Sequence, residues 1–327
     1  MKVSRRSVVL GGIGVATQCV APAVLAQEAY AARPIRLVVA VPAGGPTDIM
    51  ARLLASKLSA SLGQPVLVDN KPGAGQTIGT AFVARAPADG YTLLMCTQTF
   101  AVNGSIFPNL PYDSQKDFTP VALVTRLPYG IFINGKVPAK TLPELIELAK
   151  RQPGTLNYAS TGASSHPRIG GELFKLRTGT DLLHVAYNGS APAITSLVGG
   201  QTHLMFSDFL ALMPHLQNGS IRALAVASQK RLPVAPDVPS VAEVGLPKLD
   251  LAAWFGVLAR SGTPKAIVDR LNAEINTALT DPELRRRMVR DGAELLEPST
   301  PEQFGSFIRT QSQELGEVVR SAKITLD

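Results

Sequence analysis

Short apolar runs alternate along this chain with segments whose apolar positions recur every three to four residues. Residues 35–41 open the pattern. Leu37, Val38, Val39, Ala40 and Val41 are apolar without alternation, as expected of a strand covered on both faces. Ile49, Met50, Leu53, Leu54 and Leu58 then fall at helical spacing over residues 47–62, with Thr47 or Asp48 as the cap and Gly63 as the stop. Residues 66–68 and 91–95 read as further strands, with a glycine-rich loop over 69–79 entering a helix between them. After a Pro- and Asn-rich connection over 103–111, residues 121–134 are extended. Thr141-Leu142-Pro143-Glu144 opens a helix to Lys150 as a capping box.

The same alternation repeats in the second half. Strands are expected over 157–160, 184–187, 204–206 and 221–227, with helices running to Arg177 and to Leu197. Residues 252–258 are extended again, and three helices close the chain. Thr263-Pro264 and Asp281-Pro282 each supply a cap and a first-turn proline. Thr300-Pro301-Glu302-Gln303 is a capping box for a helix to about Ala322. Repeated strand–helix units imply parallel α/β sheets, and 327 residues suggest two domains. The last helices need a sheet to lie on. The economical arrangement returns the chain to the first sheet, giving residues 27–128 with 250–327 as one α/β domain and 129–249 as the other. Such a chain crosses between lobes twice, and a hinge of that kind permits closure on a ligand.

Composition narrows the class. The chain is 45% apolar, 17% charged and 6% aromatic, which describes a globular protein with a sizeable core. Met1 to Arg6 is a short basic region, Ser7 to Ala16 is mostly apolar, and Val24-Leu25-Ala26 ends in a small residue. That layout is a secretory signal cleaved near Ala26, giving an exported protein. Arg5-Arg6 fits a twin-arginine route, and a plain secretory route fits as well. Gln18 before Cys19 is not the small residue that lipoprotein processing needs. Loss of Lys2, Arg5 and Arg6 lowers the net charge from +7 to +4, with the basic residues scattered. Arg285-Arg286-Arg287 is the one cluster, and Asp291 and Glu294 follow it. A solvated helix face fits it better than a nucleic-acid stripe. Cleavage leaves Cys96 alone, so no internal disulfide is expected. No second apolar run approaches a membrane span, and the mature chain is expected to be soluble.

The glycine-rich loop at Gly73-Ala74-Gly75 is not a dinucleotide fingerprint. Ile78 stands where the third glycine belongs, and the loop follows the second strand. His166, His184, His203 and His215 do not make a metal-ligand pair on one helix, so no metal and no cofactor is expected. A Ser–His–Asp hydrolase could be assembled from Ser164 or Ser165 with His184 and Asp208, but no Gly-x-Ser-x-Gly elbow is present. Trp254 suits a core as well as a ligand wall. Four small-residue loops recur instead, around Ala43–Thr47, Gly73–Thr77, Thr161–Ser165 and Asn188–Pro192, each after a strand and before a helix. In parallel sheets such loops lie at the carboxyl ends of strands, where ligands bind. A helix N-terminus contributes about 0.3–1 kcal/mol toward an anion, and a hydrogen bond to a charged group about 1.5–3 kcal/mol. Three or four such groups reach the roughly 8 kcal/mol of micromolar binding without a salt-bridging arginine.

Several segments together carry a family resemblance: Pro42-Ala43-Gly44-Gly45-Pro46-Thr47-Asp48, Leu62-Gly63-Gln64-Pro65-Val66, Asn70-Lys71-Pro72-Gly73-Ala74-Gly75 and Asp89-Gly90-Tyr91-Thr92-Leu93. Later come Tyr158-Ala159-Ser160, Gly171-Glu172-Leu173-Phe174 and Pro236-Asp237-Val238-Pro239-Ser240-Val241. Nearly the whole mature chain resembles the periplasmic solute receptors of tripartite tricarboxylate transporters, the Bug receptors. The resemblance implies a periplasmic-binding-protein type II (Venus flytrap) fold with a small organic acid in an interdomain cleft. It implies a receptor and not an enzyme, serving membrane transporter subunits or, alternatively, a membrane sensor kinase. A monomer is expected, without nucleic acid. The positions matching the family's ligand loops are Ala43, Gly44, Thr47 and Asp48; Gly75 and Thr77; Ser160, Gly162 and Ser165; Tyr187, Gly189 and Ala191; and Asp208 at the cleft edge. Val41, Ser164, Arg168 and Asn188 depart from residues common in the family, and Arg168 is expected to be solvated on its helix.

Overall fold

The computed structural model describes residues 30–107, 109–162, 165–209 and 211–324. The expected export signal over 1–26, with Cys19, and the candidate nucleophile Ser164 lie outside the described residues. The first sheet is built from β1 (Ile35–Val39), β2 (Val66–Asn70), β3 (Thr92–Thr97), β4 (Phe118–Pro128) and β10 (Ala252–Arg260), in the order β2-β1-β3-β10-β4. The second holds β5 (Gly130–Asn134), β6 (Asn157–Ser160), β7 (Leu183–Ala186), β8 (Leu204–Ser207) and β9 (Ile221–Val226), in the order β7-β6-β8-β5-β9. The two orders are the same, position for position. Two α/β domains are thus present, with one difference from expectation. Each sheet is mixed, because β10 runs antiparallel to β3 and β4, and β5 antiparallel to β8 and β9. The antiparallel member of each sheet is the strand that has just arrived from the other lobe.

Register places the hinge. Ala252, the first residue of β10, faces Pro128, the last of β4. Gly130, the first of β5, faces both Ser207 and Val226, the ends of β8 and β9. The carboxyl ends of the parallel strands in both sheets therefore lie at the crossing, and the loops that leave them share one seam. The continuous extended segment expected over 121–134 is broken at Tyr129, where the chain changes sheets.

Helices α1 (Pro46–Leu62) and α8 (Lys265–Leu279) cover one face of the first sheet. Leu54, Leu58, Leu271 and Ile275 pack there against Leu37, Leu93 and Val257. On the other face, α2 (Thr77–Ala84), α3 (Gln98–Ile106) and the first half of α10 (Pro301–Ser321) enclose Val38, Leu94 and Trp254. Trp254 is fully buried against Phe304 and Phe307, so it belongs to the core. The second sheet is covered by α4 (Leu142–Arg151) and α5 (His166–Thr178) on one side, and by α6 (Ser190–Gly199) and α7 (Met213–Gln217) on the other. Leu315, Val318 and Val319, in the second half of α10, join the core of this second sheet. The helix α10 thus straps both lobes.

Two helix starts differ from expectation. Gly45, not Thr47 or Asp48, is the N-cap of α1, because Pro46 fixes the first helical φ one residue earlier. Pro264 caps α8 without a side chain, since the Thr263 hydroxyl donates instead to the Arg260 carbonyl (2.7 Å). The capping box forms in full at Thr300–Gln303 on α10, whereas on α4 Thr141 caps Glu144 N–H but the Glu144 carboxylate takes Lys140 N–H instead of Thr141 N–H. Asp281 caps α9 (Pro282–Arg290).

Three chain segments lie side by side at the hinge. Tyr129 N–H donates to Leu251 O (3.0 Å), Leu251 N–H to Ala227 O (3.0 Å), and Ala227 N–H to Tyr129 O (2.7 Å). His166, the first residue of α5, is buried against them. Its ring stands edge-on to Tyr129, and its Nε2–H donates to the Ala252 carbonyl (3.2 Å). Burial pushes this imidazole down to about 4, from an ordinary 6.5. An unfolded chain takes up the proton as pH falls through 6.5, whereas the native chain does so only near 4. Native stability therefore carries no penalty above that window and an increasing one within it, up to about 3 kcal/mol. Urea unfolding at about pH 7.5 and about pH 4.5 is expected to show a larger loss for the wild type than for His166→Gln. Equal losses would mean that the imidazole is reached by water in the native state.

Candidate functional site

The loop after β1 is shaped by a carboxylate that points back into the protein. Asp48 Oδ2 accepts from Gly44 N–H (2.9 Å) and from Arg52 Nε–H (3.0 Å), and its Oδ1 accepts from Asn70 Nδ2 (2.9 Å). Asn70 also donates to Val41 O (3.2 Å) and accepts from Arg52 (3.1 Å). Gly44 has φ of 89°, a conformation natural to glycine, and it turns its amide inward onto Asp48. The Arg52 hydrogen bond, aided by those from Gly44 and Asn70, holds the Asp48 carboxyl down to about 2 against the opposing effect of burial. Asp48 thus acts as the frame of the loop. Its charge is matched by Arg52, so it does not oppose an anion at the exposed Ala43–Gly44 edge. Thr47 is buried in the first turn of α1.

The loop after β2 is strained. Gly73, Ala74, Gly75 and Gln76 all have positive φ (128°, 45°, 59° and 73°), which is costly for Ala74 and Gln76. Side chains from three elements hold this turn. Asn103 donates to Gly75 O (3.0 Å), Thr97 to Gln76 Oε1 (3.0 Å), and Thr77 to Ala74 O (2.8 Å).

In the second lobe, the Gly162 carbonyl accepts from the Ser160 hydroxyl (2.8 Å), the Ser165 hydroxyl (2.7 Å) and Ser165 N–H (3.1 Å). His184 Nε2 lies 2.6 Å from Ser160 Oγ. Ser165 and His184 are therefore each engaged elsewhere, and the Ser165–His184 pair considered from the sequence is not formed. The Tyr187 hydroxyl is turned onto Ser196 (2.6 Å), while its N–H donates to Ser160 O (3.0 Å), tying this loop to the preceding one. Gly189 is the N-cap of α6 and Ala191 lies exposed in its first turn. Asp208 follows β8 and raises the Tyr129 hydroxyl's affinity for its proton, which burial has already raised, so it stands beside the hinge. Arg168 is not solvated. Its side chain is 19% exposed and pairs with Glu172 (3.3 Å), because one helical turn separates them.

One feature unites these loops. The helices that begin from them, α1, α2, α5 and α6, have no side chain bonded to their first-turn amides. Of the other helices, α4, α9 and α10 start elsewhere and each is capped by its own Thr or Asp, α3 leaves the end of β3 with Thr97 as its cap, and α7 and α8 also lack a side-chain cap. Uncapped helix starts leave N–H donors and a positive dipole end for an anion. Four of them open from strand ends that face one seam. A cavity of about 1030 Å³ lies elsewhere, on the outer side of α2, with Arg33, Arg36, Lys71, Ile78, Phe82 and Arg85 in its wall.

The sequence profile described as "Tripartite tricarboxylate transporter family receptor" matches residues 50–324. The chain belongs to this receptor family. Protein BugT of Bordetella pertussis is 39% identical over 311 residues, covering 94% of this chain and 95% of its own. Two solved structures from Rhodopseudomonas palustris are similar at 34% identity each. One, holding adipate, has a TM-score of 0.75 and covers 91% of this chain and 100% of its own. The other, MatC with bound malate, has a TM-score of 0.73 and covers 89% and 100%. The family is one of periplasmic receptors, and the two-lobed fold is the one that the receptor resemblance implied.

Some residues that shape the candidate loops were not read as site residues. Arg52 and Asn103 lie outside the loops in sequence, and Asn70 opens the second loop, yet together they hold two of the four loops in shape. Only the Asp48–Arg52 spacing, four residues apart, was a visible signal. Asn103 was hidden because residues 103–111 read as a connection, whereas α3 runs on through Gly104 to Ile106.

Proposed function

We propose that this protein is a periplasmic receptor that captures a small organic acid, with dicarboxylates such as malate and adipate as the first class to test. It delivers the acid to the membrane subunits of a tripartite transporter and catalyses no reaction. The observation that carries the reading is the gathering of four uncapped helix N-termini at the seam of two sheets. The relatives solved with adipate and malate support the ligand class. A carboxylate would take donors from the Ala43–Gly44 loop and the α1 start behind it, with the Gly44 N–H itself held by Asp48, and from the Gly75 loop of the same lobe. From the other lobe it would meet Ser165 and the Gly162, Gly189 and Ala191 segments, with Thr47, Asp48, Thr77, Ser160, Tyr187 and Asp208 supporting them. We take the lobes as residues 27–128 with 250–327, and 129–249, joined by the hinge at Tyr129 and Leu251. The mature chain acts as a monomer after cleavage near Ala26.

A thermal-shift panel of mono-, di- and tricarboxylates tests this. At least one dicarboxylate is expected to raise the melting temperature in a saturable way, because a ligand bound only to the native state stabilises it by mass action. A flat response across the panel would remove the receptor reading.

A further inference from the structure

The receptor reading leaves His184 without a role, yet proton counting gives it one. His184 lies on β7, tilted against Tyr158 (5.1 Å between ring centroids), with Nε2 2.6 Å from Ser160 Oγ. The Ser160 hydroxyl has one proton to donate. The Gly162 carbonyl, 2.8 Å away, can only accept, and the Ser160 O–H is placed to donate to it. With that proton directed to Gly162 O, the 2.6 Å contact to His184 is made by an Nε2–H; in the other tautomer a bare Nε2 would take the Ser160 proton instead. The consequence reaches the next residue. Gly162 O also receives the Ser165 hydroxyl (2.7 Å) and Ser165 N–H (3.1 Å). A carbonyl oxygen has two lone pairs and here faces three donors. Ser160 is fully buried and the Ser165 amide is fixed in the backbone. The partly exposed Ser165 hydroxyl is the one donor able to turn away.

Resting on the receptor reading, we infer that His184 is a positioning residue for the carboxylate site. By holding the Ser160 hydroxyl on Gly162 O, it satisfies that carbonyl and releases the Ser165 hydroxyl to an oxygen of the bound acid. The handover runs His184 Nε2–H to Ser160, Ser160 O–H to Gly162 O, and Ser165 O–H to ligand. No group changes its protonation state. Hydrogen bonds in such a chain also polarise one another.

Two measurements test it. In the ligand-free protein, nitrogen-15 chemical shifts are expected to report the Nε2–H tautomer of His184. The Nδ1–H tautomer would overturn the assignment. Titration calorimetry with malate and adipate then reads the coupling. His184→Ala is expected to weaken binding about tenfold in the wild-type background and less than about twofold in a Ser165→Ala background. His184→Gln, whose amide can donate to Ser160, is expected to recover most of the affinity. Circular dichroism melts confirm that each variant is folded. An equal loss in both backgrounds, or no loss in either, overturns the handover. A wild-type chain that binds neither acid overturns the receptor reading instead, and the tautomer is still read from the spectrum.

Discussion

Asp48→Ala is expected to lower the free energy of unfolding by about 3 kcal/mol and to weaken carboxylate binding at least about tenfold. The reason lies in what the side chain holds. Three donors converge on it from Gly44, Arg52 and Asn70, and Asp48 itself is 3% exposed. Truncation leaves the Gly44 N–H without its acceptor and the Asn70 amide with Val41 O alone, and the loop after β1 loses the contact that turns Gly44 inward. Arg52 is half-exposed and can be rehydrated, so the loss is not that of a fully buried charge pair. Asp48→Asn is expected to cost about half as much. A flipped Asn70 can then accept from the new amide, at the expense of its bonds from Arg52 and to Val41 O. Acid should act on the same network. The carboxyl is held down to about 2 from an ordinary 3.8, so its contribution is present above pH 3.8 and is lost as pH falls through about 2. Urea unfolding and malate titration of the two variants check these values. An Asp48→Ala protein with wild-type affinity would show that the loop keeps its shape without the carboxylate.

Gly79→Ala is expected to destabilise the protein by about 3 kcal/mol, near the upper end for overpacking. A Cβ at this position would lie 2.8 Å from Ala40 Cβ, 2.8 Å from Lys71 O and 3.0 Å from Ala40 Cα. Two of those neighbours are backbone, so no side chain can rotate aside. The helix α2 would have to withdraw from the end of β1 and from the loop after β2 together. Ligand affinity is expected to fall with stability, because both loops of the first lobe meet at that contact. Gly104→Ala is the matched control. Gly104 lies within α3 with nothing within 4 Å of its Cβ position, so the substitution should be neutral or gain up to about 1 kcal/mol. Losses of similar size in both variants would mean that helix composition, not the close approach, governs the effect.

The sequence made the alternation of strands and helices legible because buried parallel strands and amphipathic helices leave distinct periods. Residues 37–41 and 47–62 are the clearest case. The direction of β5 and β10 was not legible. Residues 130–134 and 252–258 are as apolar as their parallel neighbours, and only the crossings at Tyr129 and at Leu251 decide which way they run. The start of α1 was misplaced because Thr47 and Asp48 suit a cap, while Pro46 before them sets the first turn. The four candidate loops were visible as small-residue runs between strand and helix. What each polar residue does inside them was not. Asp48 and Tyr187 matched ligand positions in sequence, yet both side chains turn onto the protein. Hydrogen-bond direction depends on partners distant in sequence, such as Asn70 for Asp48 and Asn103 for Gly75, and no local pattern encodes those.

A carboxylate is expected between the two lobes, held by amides and hydroxyls at the strand ends. The most direct test is a crystal structure of the protein grown with the dicarboxylate that raises its melting temperature most. The expected result is ligand density at the seam, with carboxylate oxygens within hydrogen-bond reach of the Gly44 and Gly75 loops on one side and of Ser165 on the other. Density confined to the cavity outside α2, against Arg33, Arg36 and Arg85, with the seam open to solvent, would contradict the account.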